Sequence, residues 1–197
     1  MSSKAILVKK LLDYDQGMRD EAANVFVDGY YNDLSFFSKD KEKLKNAFEP
    51  LICADVFYVA EMDGAIVGLL ACSHNRQRAM SINNAILYKH LGLVRGNLAY
   101  YLLKKEFNTP LSFPDDTAYI ECVATSENAR GQGVCTALFQ HVMQELPYRE
   151  FRLEVVDTNL PAYRLYQKLG FTEFSRKQVK WSKLKGFHEK INMRWLK

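Results

Sequence analysis

The chain of 197 residues is sparing with the residues that would mark it as secreted, metal-binding or membrane-spanning. Its four cysteines, Cys53, Cys72, Cys122 and Cys135, form no CxxC pair. That spacing excludes a zinc ribbon or a dithiol redox pair, and apolar neighbours point to buried thiols in a reducing compartment. The four histidines, His74, His90, His141 and His188, are scattered, so no metal is expected. With only five prolines and ten glycines there is no Pro/Gly/Ser-rich linker, and no stretch of the chain repeats. A single domain over residues 1–197 follows. Long apolar runs are also missing. The most apolar stretch, Ile82 to Leu103, is broken by Asn83, Asn84, Lys89, His90, Arg95, Gly96 and Asn97. A membrane span needs about 20 predominantly apolar residues, so no membrane partner is expected. The N-terminus has neither a long apolar core nor a small-residue cleavage site, which excludes a signal peptide and predicts a cytoplasmic protein.

What is present is ordinary globular composition, 48% hydrophobic and 25% charged, with a net charge of +4. So small a surplus suits an anionic small ligand and not nucleic acid. The most basic run, Arg176 to Lys185, includes Trp181 and reads as a solvated strand edge rather than an RNA-binding surface.

The pattern predicts a first strand at Ala5–Val8, a helix over Asp15–Tyr30 and another over Lys41–Phe48 that Pro50 ends. Val56–Ala60 and Ala65–Leu70 flank Asp63-Gly64, the signature of a β-hairpin. Residues 76–112 form a polar-aromatic insertion with helical stretches and no evident chemistry. Beyond Pro114 the order becomes regular: strand Tyr119–Thr125, helix Gly133–Leu146, strand Phe151–Val155, helix Asn159–Leu169 stopped by Gly170, and strands from Phe171 and over Ile191–Leu196. Strand–helix alternation after a hairpin implies a mixed α/β sheet with helices on its faces. Along Tyr119–Thr125, strict alternation places Tyr119, Glu121, Val123 and Thr125 on one face. It sends Ile120, Cys122 and Ala124 to the other, against a helix.

The segment Ala129-Arg130-Gly131-Gln132-Gly133-Val134-Cys135 joins a strand to a helix. The first amides of a helix lack intrahelical partners and the dipole adds partial positive charge there. Gly131 and Gly133 allow an anion to approach the backbone, and Arg130 adds a cation. A glycine-containing tight turn is the plainer alternative. A Walker loop is excluded because Val134 and Cys135 follow Gly133. The dinucleotide fingerprint is disfavoured because Thr136 stands where a third glycine is needed and Asp157 lies too far downstream.

At this point the sequence resembles the GNAT superfamily of acyl-CoA N-acyltransferases. Its signature, Gln/Arg-x-x-Gly-x-Gly/Ala, stands here as Arg130-Gly131-Gln132-Gly133-Val134-Cys135, with Cys135 replacing a smaller residue. The second matching run is Asn159-Leu160-Pro161-Ala162-Tyr163-Arg164-Leu165-Tyr166-Gln167-Lys168-Leu169-Gly170-Phe171. The match is specific over residues 118–174. It implies an α/β (α+β) fold: a mostly antiparallel mixed sheet with splayed fourth and fifth strands and helices on both faces.

The resemblance also implies acetyl-CoA as acyl donor and direct transfer to an amine in a ternary complex. The cofactor arm would pair with the backbone of Val123, Ala124 and Thr125. Its pyrophosphate would meet the amides from Gly131 through Gln132, Gly133, Val134 and Cys135 to Thr136, with Arg130 alongside. Asn159 would contact the arm or simply cap its helix. Tyr166 matches the family's proton donor to the leaving thiolate; on periodicity alone it belongs to an apolar helix stripe. Glu121 is the candidate base, or a polar strand residue without a catalytic task. A backbone N–H near Val123 would serve the developing oxyanion. The expected acceptor is the primary amine of a small molecule or peptide. Tyr30, Tyr31, Phe36 and Phe37 either line its pocket or fill the core. A non-catalytic acyl-CoA sensor and a modifier of RNA or ribosomal protein are the competing readings. The 76–112 insertion is a lid or a dimer contact, which leaves a homodimer open.

Overall fold

The computed structural model describes residues 5–179 and 186–197. The second half of the basic run, from Lys180 to Lys185, lies outside these residues. The first strand, β1, runs Leu7–Lys10 rather than Ala5–Val8. Its position is set by pairing, from Leu7 opposite Glu61 to Lys10 opposite Tyr58, and not by the apolar run itself. Helix α1 spans Gln16–Gly29, capped where the side chain of Asp15 accepts from the Met18 amide. A single turn, α2 (Tyr31–Leu34), leads to α3 (Lys41–Phe48), capped in the same way by Asp40. Strands β2 (Phe57–Met62) and β3 (Ala65–Ser73) form the expected hairpin. Asp63 and Gly64 both take positive φ, as a two-residue type I′ turn requires.

The insertion contains α4 (Asn84–Phe107), broken at Gly92, whose φ of 79° is non-helical. Strand β4 (Thr117–Thr125), α5 (Val134–Glu145), β5 (Glu150–Val156), α6 (Leu160–Lys168), β6 (Thr172–Gln178) and β7 (Glu189–Leu196) complete the order. The seven strands form one sheet in the order β1-β2-β3-β4-β5-β7-β6. Only β4 and β5 are parallel neighbours; the other pairs are antiparallel.

Two apolar cores sandwich this sheet. Helices α1, α3 and α4 cover one face, around Phe26, Phe48, Leu69 and Leu87. Helices α5 and α6 cover the other, around Leu138, Phe139, Phe151 and Tyr166. Helices therefore lie on both faces, as expected. Arg176, the first residue of the basic run, is held by Glu173 at 2.6 Å and Glu189 at 2.8 Å. Its charge is matched within the β6–β7 edge. Among the described residues, no helix is long and apolar enough to cross a membrane.

Strand β4 departs from simple alternation. Cys122 adopts φ 55°, and the β3–β4 register shifts between Leu69 and Ala71. Three steps along β4, from Ala124 to Glu121, face two along β3, which defines a β-bulge. The bulge reverses the side chains that follow it. Ile120 packs on the α5 side as expected, but Cys122 and Ala124 join the α1 side, and Val123 turns toward α5. The expectation that Ile120, Cys122 and Ala124 share one face is thus corrected.

Candidate active site

The sheet opens where chemistry was expected. Strands β4 and β5 pair only from Thr117–Glu150 to Ile120–Leu153. Beyond Ile120, β4 continues through Thr125 without β5 as a partner, while β5 continues to Val156 against β7. The β5-facing backbone groups of β4 are left without a strand partner, which a bound extended chain can supply. Val123, Ala124 and Thr125 lie on this edge; Ala124 and Thr125 are paired on their other side with Leu69 and Gly68.

The loop that follows is tied to β3. Both the amide and the hydroxyl of Ser126 donate to the Val67 carbonyl at 2.8 Å. A 3₁₀ turn over Glu127–Ala129 leads to Gly131 (φ 75°) and Gly133 (φ 85°). Glycine is needed here for its backbone freedom and for the space it leaves. A Cβ at either position would meet nothing within 4 Å. Gly133 caps α5 and offers no side chain. The first intrahelical bond runs from the Ala137 amide to the Gly133 carbonyl, so the amides of Val134, Cys135 and Thr136 precede it. Arg130 is exposed and unpaired among the described residues. Gln132 braces the loop by donating to the Asn128 carbonyl at 2.7 Å. Open space, unpaired amides, a helix dipole and a free guanidinium fit a diphosphate. The side chain of Cys135 packs against the α5-side core, leaving the loop surface clear.

Tyr166 lies 8% exposed in the same core, with its ring 5.3 Å from Phe139 and 6.2 Å from Phe171. Burial and the nearby Cys135 raise its phenol well above the ordinary value. Its hydroxyl makes no hydrogen bond among the described residues. The Asn159 side chain accepts from the Ala162 amide at 3.3 Å, so the cap role is present. Opposite Tyr166, on the α1 side, the Tyr30 hydroxyl donates to the Val123 carbonyl at 3.3 Å. Burial also raises the Tyr30 phenol well above its ordinary value, with Cys122, Tyr166 and Glu121 acting in the same direction. Two protonated phenols therefore approach the opening from its two sides. Gly29 permits this, because a Cβ there would stand 2.6 Å from the Ala124 Cβ. Of the other aromatics considered, Phe37 is core, Phe36 is 66% exposed, and Tyr31 donates to the Lys39 carbonyl.

Glu121 is the most constrained of the expected residues. Its Oε1 accepts from the Ser73 hydroxyl (2.6 Å), Arg78 Nε (3.1 Å) and the Ala79 amide (3.1 Å); its Oε2 accepts from Arg78 Nη2 at 2.8 Å. The Arg78 and Glu121 side chains are only 11% and 10% exposed. Arg78 also donates from Nη1 to the carbonyls of Glu106 and Thr109 at 2.8 Å. The insertion is thus fastened to β4 by a buried ion pair that its sequence did not reveal. A buried arginine 43 residues from its carboxylate leaves no local signal.

No curated protein sequence matches the chain. The family model described as Acetyltransferase (GNAT) family matches residues 21–171. Solved structures similar to it include PH1933 from Pyrococcus horikoshii OT3, at 16% identity and a TM-score of 0.60, covering 98% of this chain and 99% of that one. Another is the histone acetyltransferase HPA2 and related acetyltransferase from Corynebacterium glutamicum ATCC 13032, at 22% and 0.61, covering 98% and 96%. A third is the ribosomal-protein-S18-alanine N-acetyltransferase from Escherichia coli, at 13% and 0.56, covering 98% and 94%. These likenesses define an open, mostly antiparallel sheet with one parallel step as the common fold. The chain belongs to the acetyltransferase (GNAT) family.

Proposed function

We propose that the protein transfers an acetyl group from acetyl-CoA to the primary amine of a small molecule or peptide. The observation that carries this reading is the continuity of the unpaired β4 edge with the Gly131–Gly133 loop and the α5 N-terminus. One surface offers extended-chain pairing and then diphosphate binding, in the order that a pantetheine arm and its pyrophosphate require. Acetyl-CoA supplies an activated thioester carbonyl when bound.

The remaining chemistry belongs to this chain. A C–N bond forms to the amine as the C–S bond breaks, and the products are an amide and a thiol. A nucleophilic cysteine is disfavoured, because burial pushes the Cys135 thiol up to about 12 and the Cys122 thiol well above its ordinary value. That favours direct attack. Tyr166 stays protonated far into alkali and can donate to the departing sulfur. A thiol's ordinary pKa is about 8.5, so full proton transfer from so weak an acid is uphill. Its contribution is a hydrogen bond that strengthens as charge develops on sulfur. A backbone N–H near Val123, in the bulged stretch of β4, would serve the carbonyl oxygen as charge develops on it. Glu121 enters chiefly as the anchor of the 78–79 backbone. It takes a proton from the amine only if Oε2 exchanges Arg78 for the incoming group.

Calorimetry with acetyl-CoA, followed by thiol release with a panel of amines, tests the proposal. Micromolar binding, weakened by Arg130→Ala and by Gly133→Asp, is expected. A folded protein that binds no CoA sinks it. Binding without thiol release from any amine would leave the acyl-CoA sensor instead.

A further inference from the structure

The β5–β7–β6 part of the sheet has a second face, opposite α5 and α6. Glu150, Arg152 and Glu154 of β5 alternate onto it, as do Lys190, Asn192 and Arg194 of β7, because their neighbours Phe151, Leu153, Val155, Ile191 and Met193 fill the core. A cavity of about 170 Å³ opens there, bordered by Phe113, Tyr119, Arg152, Phe174, Lys177 and Asn192. Its place in the sheet is informative. Arg152 pairs with Tyr119, one step before Ile120–Leu153, the last β4–β5 pair. The cavity therefore sits at the closed end of the opening, while the diphosphate loop follows the far end of β4. An acyl chain entering from the loop side points toward it.

The chemistry of the walls is one-sided. The Arg152 guanidinium is stacked 4.8 Å from the Phe113 ring and 5.6 Å from that of Phe174. Of its donors, Nη2 alone has a partner among the described residues, Glu150 Oε2 at 2.9 Å. Among the described residues, two donors, Arg152 Nε and Asn192 Nδ2, are buried with no acceptor, and one acceptor, Glu150 Oε1, is buried with no donor. Buried polar groups without partners are rare and costly, and each calls for a bound group that satisfies it. Lys177 has no ion-pair partner among the described residues, Lys190 opposite it is matched by Glu154 at 2.6 Å, and the charge of Arg194 acts on Glu150. Two cations, Arg152 and Lys177, thus border the cavity, and no carboxylate does; Glu150 holds Arg152 from outside the lining. A planar guanidinium held between rings, with a neighbouring amide donor and surplus positive charge, is suited to bind a carboxylate.

Resting on the acetyl-transfer reading, we infer that the acceptor is a small amine that carries a carboxylate, which Arg152 and Asn192 hold at the closed end of the β4–β5 opening. The carboxylate supplies the acceptor oxygens these donors lack, and it sets the amine on the side facing the β4 bulge. Arg152 is then a specificity residue for the acceptor, with no part in the bond exchange.

Thiol release from acetyl-CoA, with L-alanine, β-alanine and 4-aminobutyrate compared against their primary amides, tests this. At least one acid is expected to show a KM about tenfold or more below that of its amide. Arg152→Gln should raise that KM by about tenfold or more and change kcat by less than about threefold, with Asn192→Ala giving a smaller rise. Arg152→Lys, which keeps the charge but not the fork, should fall between, and thermal melts confirm that each variant is folded. Turnover of acids and amides with equal KM, or an acid preference that survives Arg152→Gln, overturns this inference and leaves acetyl transfer standing. Acetyl-CoA binding with no thiol release from any amine overturns both.

Discussion

The hydroxyl of Tyr30 reaches 93 residues along the chain to donate to the carbonyl of Val123 at 3.3 Å. It joins the end of α1 to the bulged strand at the point where that strand leaves its neighbour. A bulge leaves one residue unpaired in the ladder. Here a side chain from another element supplies the missing partner. Tyr30→Phe should keep the fold, lower unfolding free energy by about 1 kcal/mol, and reduce kcat/KM for acetyl-CoA several-fold. Urea titration and thiol-release kinetics check the two parts separately.

Gly133 has φ 85° and open space above it. Gly133→Ala should therefore cost about 1–2 kcal/mol from backbone strain, with no steric clash inside the protein. If the loop binds a diphosphate, the methyl group also intrudes on it. Calorimetry should show CoA affinity falling more than the melting temperature alone implies, and Gly131→Ala should behave alike.

Removing one partner of a buried ion pair leaves the other charged and unmatched, typically at about 3–5 kcal/mol. Arg78→Met should approach that range, since both side chains are about nine-tenths buried. The double variant Arg78→Met with Glu121→Gln should recover much of the loss, as chemical denaturation will show. Glu121→Gln alone separates anchor from base. An anchor predicts an unchanged shape of the pH–rate profile with a lowered plateau. A base predicts loss of the acidic limb.

Buried thiols give the pH dependence of stability. Burial raises Cys72 and Cys135 from 9.0 to about 12. Above pH 9 the unfolded chain releases these protons and the folded chain does not, so the unfolded state binds fewer protons and stability falls. The contribution is fully present below pH 9 and is lost as pH rises toward 12, by at most about 1.4 kcal/mol per unit per thiol. Denaturation curves should be flat from pH 7 to 8.5 and weaken above 9. Cys72→Ala should reduce that slope.

Where a local signal existed, the sequence was a good guide. The helical spacing after Asp15 and from Lys41 to Phe48 becomes α1 and α3, and Asp63-Gly64 makes the turn its dipeptide implies. The Arg130–Thr136 segment forms a strand-to-helix loop with both glycines in the left-handed region. What escaped was set by partners distant along the chain. The reversal at Cys122 is a matter of register with β3, and an alternating strand carries no mark of it. Arg78, in a stretch without evident chemistry, turned out to grip Glu121. Strand β1 slid two residues because its ladder with β2 decides its ends. Arg152 and Asn192 looked like ordinary strand residues until the sheet brought them to one cavity.

The four-residue contact between β4 and β5 has a mechanical consequence. It divides the sheet into two plates, β1–β4 and β5–β7, held by a short seam and by the core under α5. A seam this short can open at a cost below that of global unfolding. A ligand lying in the gap bridges the plates. Amide hydrogen exchange should then slow on both sides of the seam, along residues 121–125 and 153–156, well beyond the atoms that the ligand touches.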